Sequence, residues 1–266
     1  MTVERELGNT GKKTTTLVLT ALGGFVDAVG YIALYQVFTA NMSGNSVHVG
    51  MYLGQADLIN LIRPVCAIGA YAVGVISTRI VMEIGARASF RPIATCTLAA
   101  EALLLVVFAR ATPAMHLGQI VDMQSPGYFA LVAILAFAMG VQTATLTHIG
   151  PLTVYTTFVT GTLTKASESF ARFLFWLWDR LRAAHPSTSG LLGSAVQQRD
   201  AQDALFLSGV WCCYVAGAAL GTAAKGRWEL RALYLPVGVL MVFVMLDFFR
   251  PMGVEEVQHQ RDSSPG

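Results

Sequence analysis

Two short clusters of small polar residues, each built around a glycine, carry the chemistry of this chain. The first reads FTANMSGNSV, Phe38 to Val47, and supplies Asn41, Ser43, Gly44 and Asn45; the second reads TTFVTGTLTK, Thr156 to Lys165, and supplies Thr160, Gly161 and Thr162. Hydroxyls and carboxamides donate and accept hydrogen bonds, and a glycine lets backbone approach a bound group closely. That combination suits recognition of a small polar or anionic solute. A second polar position precedes each cluster at nearly the same distance. Asp27, in GGFVDAVGY, lies 17 residues before Gly44, and Thr143, next to Gln142 in AMGVQTATL, lies 18 before Gly161.

The elements that must position these residues are membrane spans. Apolar residues make up 54% of the chain and charged residues only 13%, with a mean hydropathy of +0.56, so this is an integral membrane protein. Runs of roughly 20 apolar residues, long enough to cross about 30 Å of hydrocarbon, occur near Thr16 to Phe38, Leu61 to Ile84, Ile93 to Phe108, Tyr128 to Ile149, Ala204 to Ala224 and Ala232 to Phe249. The expected fold is therefore all-α, with about six transmembrane helices. The first run is too long for the apolar part of a cleavable signal peptide and is expected to remain as a span. Each Gly cluster closes a span, which predicts a helix that breaks or re-enters inside the bilayer, tolerated only where protein or a water-filled cavity surrounds it.

The two clusters belong to an internal repeat. AYAVG, Ala70 to Gly74, matches CYVAG, Cys213 to Gly217, each with a Tyr three residues before a Gly. The longer distance from cluster to Tyr in the second half is explained by one insertion. Three spans per half make the second half enter from the opposite side, giving two inverted three-span repeats, an architecture common among transporters. The short helical pieces after the breaks, near Ser46 to Tyr52 and Leu163 to Phe170, would present free N–H groups and a positive dipole end to an anion or carboxylate. The expected segments are an N-terminal tail over 1–13, the first repeat over 14–110, an external loop over 111–127, the second repeat over 128–250 and a disordered tail over 251–266. An insertion over 165–203 begins as an amphipathic interfacial helix anchored by Trp176 and Trp178 and ends as a polar linker.

Lys and Arg collect on one side of this topology. With the N-terminus inside, 13 of 18 fall on the cytoplasmic face, and Arg63, Arg110, Lys225, Arg227 and Arg231 fall outside. Both termini are expected in the cytoplasm.

Intramembrane carboxylates are costly and mark functional positions by default. Asp27, flanked by Gly23, Gly24 and Gly30, reads either as a proton- or cation-coupling group or a hydrogen-bond acceptor for substrate, or as a structural carboxylate bonded to Asn41, Asn45 or backbone. Glu101, central in LAAEALLLVVF, reads as a second proton-coupling candidate or as a packed, protonated side chain. Glu83 and Asp247 sit near span ends beside Arg79 and Arg250 and read as structural. His48 and His148 lack companion ligands for a metal, and Cys66, Cys96, Cys212 and Cys213 read as core residues. No phosphate loop, HExxH or GxSxG motif occurs, so neither an enzyme nor a cofactor is expected. The net charge of +2 is too small and dispersed for nucleic acid.

These residues also resemble the bacterial YoaK family, a domain of unknown function. The resemblance rests on GGFVDAVGY with Asp27, on FTANMSGN, Phe38 to Asn45, and on GVQTA with TTFVTGTL. Ser43 stands where Thr is usual and Thr143 where Asn is expected. The resemblance implies a bacterial inner-membrane protein of about six spans and supplies no substrate. Two functions follow as expectations: a secondary transporter or channel-like permease with its site between two broken helices, or a non-transporting scaffold or sensor using the cytoplasmic amphipathic helix. Beyond the lipid bilayer, the expected partners are a small-molecule solute and, through faces such as Gly69, Gly74, Gly217 and Gly221, a second copy of the chain.

Overall fold

Long apolar runs bounded by polar ends fold as long helices. A computed structural model describes residues 2–88, 93–115, 122–145, 148–149, 152–153, 157–182 and 194–249. In chain order the helices are α1 (Thr2–Ala33), α2 (Met42–Gly54), α3 (Leu58–Arg87), α4 (Ile93–Met115), α5 (Pro126–Thr145), α6 (Val159–Arg182), α7 (Arg199–Trp228) and α8 (Tyr234–Phe249). A 3-10 turn, Glu229–Leu233, joins the last two. Between α5 and α6 a two-residue antiparallel ladder pairs His148 with Thr153 and Ile149 with Leu152.

Five stretches among the described residues are long and apolar enough to cross a membrane: Lys13–Ala33, Leu58–Gly85, Thr95–Thr112, Pro126–Thr145 and Arg199–Leu246. The last takes in both α7 and α8, two separate runs in the sequence. Large apolar side chains face outward along these helices, as Ile59, Ile62, Val73, Ile76, Ile80 and Ile84 do on α3. In water such a stripe would be an aggregation hazard; against acyl chains it is the natural surface.

Several boundaries differ from expectation. α1 stops at Ala33 and α5 at Thr145, each some four to five residues before the end of its apolar run, because the chain leaves the helix before its hydrophobicity ends. The helix after the second break is not a short piece. α6 runs unbroken from the Gly161 cluster into the amphipathic stretch for 24 residues, so the insertion extends this helix rather than following it. Half of the expected linker, 185–193, and the expected C-terminal tail, 251–266, lie outside the described residues; the other half is helical rather than a mobile linker, at 194–197 and from Arg199 into α7. Cys96 and Cys212 are exposed on their helices rather than in the core, while Cys66 and Cys213 are half-buried. Glu83 pairs with Arg87 one turn on; the side chain of Asp247 lies outside the described residues.

The helices pair in a crossed pattern. α1 lies along α7 and α3 along α5, while α2 packs on α3, α6 on α7, and α4 between α5 and α8. Both long crossings are set by glycines. A Cβ on Gly24 would collide with the Tyr214 carbonyl, and one on Gly217 with the Ala21 carbonyl. At the other crossing, a Cβ on Gly140 would collide with the Tyr71 carbonyl and one on Gly74 with that of Phe137. The registers match: Gly24 and Gly140 each precede the upstream polar position, Asp27 or Thr143, by three residues. Gly74 and Gly217 each follow a Tyr by three. Small residues therefore bring backbones together within the molecule, which occupies Gly74, Gly217 and Gly221; Gly69 faces open space.

Candidate functional site

The first break is organised by Asp27. From Asp27 to the end of α1 is six residues, about 9 Å of helix, and the chain then doubles back by the same depth. Asp27 Oδ1 accepts hydrogen bonds from the backbone N–H of Thr39 and of Ala40, both at 2.7 Å, and from Thr39 Oγ1 at 3.1 Å. Its Oδ2 accepts from the Tyr214 hydroxyl of α7 at 2.7 Å. This carboxylate is buried, at 4% exposure, and every contact it makes is with a donor. The return is tight: Tyr35 and Gln36 adopt φ of 51° and 70°, a left-handed conformation that costs about 1–3 kcal/mol at a non-glycine residue and persists because the segment is anchored on both sides. Tyr128 donates to the Leu34 carbonyl at 2.7 Å, fixing the point where α1 ends.

Asn45 and Asn41 complete the returning loop. The Asn45 carboxamide, fully buried, takes Phe38 as a strand partner would, accepting from its N–H at 3.1 Å and donating to its carbonyl at 2.7 Å. Asn41 is the N-cap of α2 and accepts from the Gly44 N–H at 3.3 Å and from Ser43 Oγ at 2.7 Å, satisfying donors left free at a helix start. Gly44 is small because the Phe38 ring lies over it: a Cβ would come within 2.7 Å. Phe38 in turn sits against Tyr31, with centroids 4.4 Å apart, and against His48 at 6.2 Å. His48 is thus part of an aromatic stack, and His148 has its side chain outside the described residues. Among the described residues no group of three or more His, Cys, Asp or Glu could hold a metal.

The second break repeats the plan with hydroxyls. Thr143 Oγ1 donates to the Met139 carbonyl at 2.7 Å and lies 2.7 Å from Thr157 Oγ1. The Tyr71 hydroxyl of α3 donates to Thr143 at 3.0 Å and lies 3.2 Å from Thr157. Thr157 has come back beside Thr143 across 14 residues, as Thr39 comes back beside Asp27 across 12. Gly161, in the first turn of α6 as Gly44 is in the first turn of α2, lies under an aromatic ring, Phe158. Thr162 bonds the Phe158 carbonyl at 2.9 Å, whereas Thr160 is exposed on the first turn of α6 and takes no part in this network.

The structure therefore gathers Asp27, Asn41, Ser43, Gly44 and Asn45 around one break, and Thr143, Gly161 and Thr162 around the other. Gln142 is drawn to a different place: its Nε2 donates to the Leu19 carbonyl of α1 at 2.6 Å, and its Oε1 has no partner. Glu101 on α4 is fully buried with neither oxygen hydrogen-bonded. Thr39, Thr157, Tyr71 and Tyr214 are site residues that sequence reasoning did not assign. For the tyrosines the signal was present, since Tyr three before Gly recurs in both halves.

Comparison with known proteins agrees with this arrangement of a helical membrane protein. The sequence profile of a family described as "Protein of unknown function (DUF1275)" matches residues 15–246. The chain is similar to the "UPF0700 transmembrane protein YoaK" of Bacillus subtilis (strain 168), 29% identical over 170 residues, which take in 62% of this chain and 70% of that protein. No solved structure matches.

Proposed function

The chain belongs to the family described as a protein of unknown function, DUF1275, and is a multi-pass membrane protein, and from that premise we propose that it is a secondary permease for a small polar or anionic solute. In this reading the two halves are inverted three-span repeats related by a pseudo-two-fold axis in the membrane plane. The N-terminus is cytoplasmic, the membrane is the bacterial inner membrane, and the protein carries out no covalent chemistry. The solute sits between the two breaks near the midplane, and access alternates as one pair of crossed helices rocks against the other.

One observation carries the proposal. Each polar break is held by a tyrosine from the other half, Tyr214 on Asp27 and Tyr71 on Thr143, with glycines at matching registers on both crossings. A membrane protein that only needed tight helix contacts would have no use for two segments that each return to a polar residue on the preceding helix before a new helix starts, at Met42 and Val159. Those starts offer positive dipole ends. Proton coupling enters through Asp27, where a proton would weaken the acceptor that holds Thr39 and Ala40, or through Glu101, which no hydrogen bond engages.

The scaffold or sensor reading draws on a separate feature. α6 extends to Arg182 with Phe170, Leu174, Phe175, Trp178 and Leu181 exposed, and the guanidinium groups of Arg180 and Arg182 stack over Trp176 and Trp178 at 5.6 and 4.5 Å from the ring centroids. Such a helix lies on a membrane surface and is compatible with either function. Uptake by proteoliposomes of labelled organic anions, amino acids, nucleobases and sugars separates them. The permease takes up one class in a saturable way, and Gly44→Leu, which drives a side chain into Phe38, removes the uptake while the protein stays folded. Absence of uptake across the whole panel would favour the scaffold or sensor.

A further inference from the structure

Arg63, on the second turn of α3, is 8% exposed and, among the described residues, hydrogen-bonds only neutral partners. Its Nη2 donates to Asn60 Oδ1 at 2.6 Å and its Nη1 to the Met123 sulfur at 3.1 Å, a weak acceptor. Its Nε, also buried, has no partner. Among the described residues no carboxylate pairs with it. The two acidic residues nearby are engaged elsewhere. Asp57 accepts from the backbone N–H and the side-chain amide of Asn60, and Asp122 accepts from the Gln124 N–H. Hydrogen bonds from the Asn60 side chain and backbone hold the Asp57 carboxyl below its ordinary range, with a smaller contribution from the Arg63 charge; the two charges feel each other but form no ion pair.

An arginine cannot shed its proton to escape burial, and a buried charge without a counter-charge is costly. A buried guanidinium with donors to spare has a fork that matches a carboxylate or phosphate. Its position relates it to the first break. Arg63 lies within reach of the Tyr128 hydroxyl, and that hydroxyl donates to Leu34, the first residue beyond α1.

We propose that Arg63 binds the anionic group of the solute, a small carboxylate or oxyanion, beside the first break, an assignment that rests on the permease reading of the two breaks. Asn60 is the positioning residue, holding the guanidinium without neutralising it, and Tyr128 ties the occupied site to the end of α1.

The test titrates purified full-length protein with acetate, benzoate, phosphate and sulfate at matched ionic strength and reads thermal stability, in detergent with and without phosphatidylglycerol. Wild type is expected to be stabilised saturably by at least one soluble anion, since binding to the native state raises apparent stability. Arg63→Gln should weaken that affinity by about 10- to 100-fold, the range for losing a charge-assisted hydrogen bond. Asn60→Asp keeps the arginine and supplies a carboxylate within bonding distance of it, while losing the amide that donates to Asp57; with its helical content verified by circular dichroism, it should lose the anion response equally. An anion response unchanged in Asn60→Asp, or none in wild type, would overturn the assignment. Stabilisation by phosphatidylglycerol alone would give the guanidinium to a lipid phosphate and overturn it too. Uptake of the stabilising anion by proteoliposomes separates this site from the reading beneath it. Binding that depends on Arg63 without uptake would keep the anion site and remove the permease, whereas uptake that survives Asn60→Asp would keep the permease and remove the site.

Discussion

The two breaks are built alike and held by different chemistry. In both, the chain overshoots a polar residue on a long helix, turns, and returns to bond that residue before a new helix starts, and in both a tyrosine from the opposite half reaches the same point. At the first break the keystone is a carboxylate that accepts four hydrogen bonds. At the second it is a hydroxyl shared among Tyr71, Thr157 and the Met139 carbonyl. A carboxylate can gain a proton and change its bonding; a threonine cannot. The geometry of the break is thus common to both halves, and any response to protons through the keystone is confined to the first.

The halves also differ after the break. α2 ends at Gly54 after 13 residues and is followed at once by α3. α6 continues for 24 residues, tied to α7 by an ion pair between Arg172 and Asp200 at 2.8 Å and by Ala166 against Leu207 and Val210. One half therefore stays compact at its membrane face, while the other extends an aromatic and basic helix along its own.

Substitutions that remove the keystones should expose this asymmetry most strongly. Asp27→Ala leaves two backbone N–H groups and two hydroxyls without an acceptor, and at about 1–3 kcal/mol for each stranded buried group the expected loss is about 4 kcal/mol or more. Thr143→Ala strands less and should cost about 1–2 kcal/mol, so thermal unfolding should rank the two clearly; equal losses would mean that the first break does not depend on its carboxylate. The helix crossings should behave alike instead. Gly24→Val and Gly140→Val each push a side chain into a facing carbonyl and should each cost about 1–3 kcal/mol by overpacking, whereas a large difference between them would break the match in register. A smaller effect is expected from the clamps: Tyr214→Phe and Tyr71→Phe each remove one hydroxyl, for about 0.5–1.5 kcal/mol, with Tyr214 the costlier because its partner is a carboxylate. Asp27→Asn should be the gentlest change to the fold, keeping an acceptor for Thr39 and Ala40 while removing the proton site. Uptake that depends on pH in wild type should lose that dependence, and a variant that keeps it would move the coupling role to Glu101.

Much of this plan was legible in the sequence. The apolar runs, the two Gly clusters, the nearly equal spacing from Asp27 and Thr143, and the Tyr and Gly pair recurring at Tyr71 and Tyr214 are all local patterns, and GGFVDAVGY with FTANMSGN carried a family resemblance that the family match bears out. What could not be read was tertiary. That Thr39 and Ala40 return to Asp27 depends on the chain folding back through about two turns of depth, which no spacing reveals. Hydropathy placed Phe38 and Ile149 inside helices because a buried loop and a buried helix can be equally apolar. Arg63 read as one more exterior cation, since its burial comes from neighbours on other helices. Gln142 was grouped with Thr143 by adjacency, yet successive residues on a helix point about 100° apart, and it bonds α1 instead.

The opposed orientation of the two breaks is the feature on which the permease reading depends, and side-specific labelling tests it. With Cys66, Cys96, Cys212 and Cys213 replaced, single cysteines at Ser43 and Thr160, both exposed at the start of their helices, would be treated in intact cells and in inverted vesicles with a membrane-impermeant maleimide. Inverted repeats predict that Ser43→Cys reacts from outside and Thr160→Cys from the cytoplasm; labelling of both from the same side would contradict them.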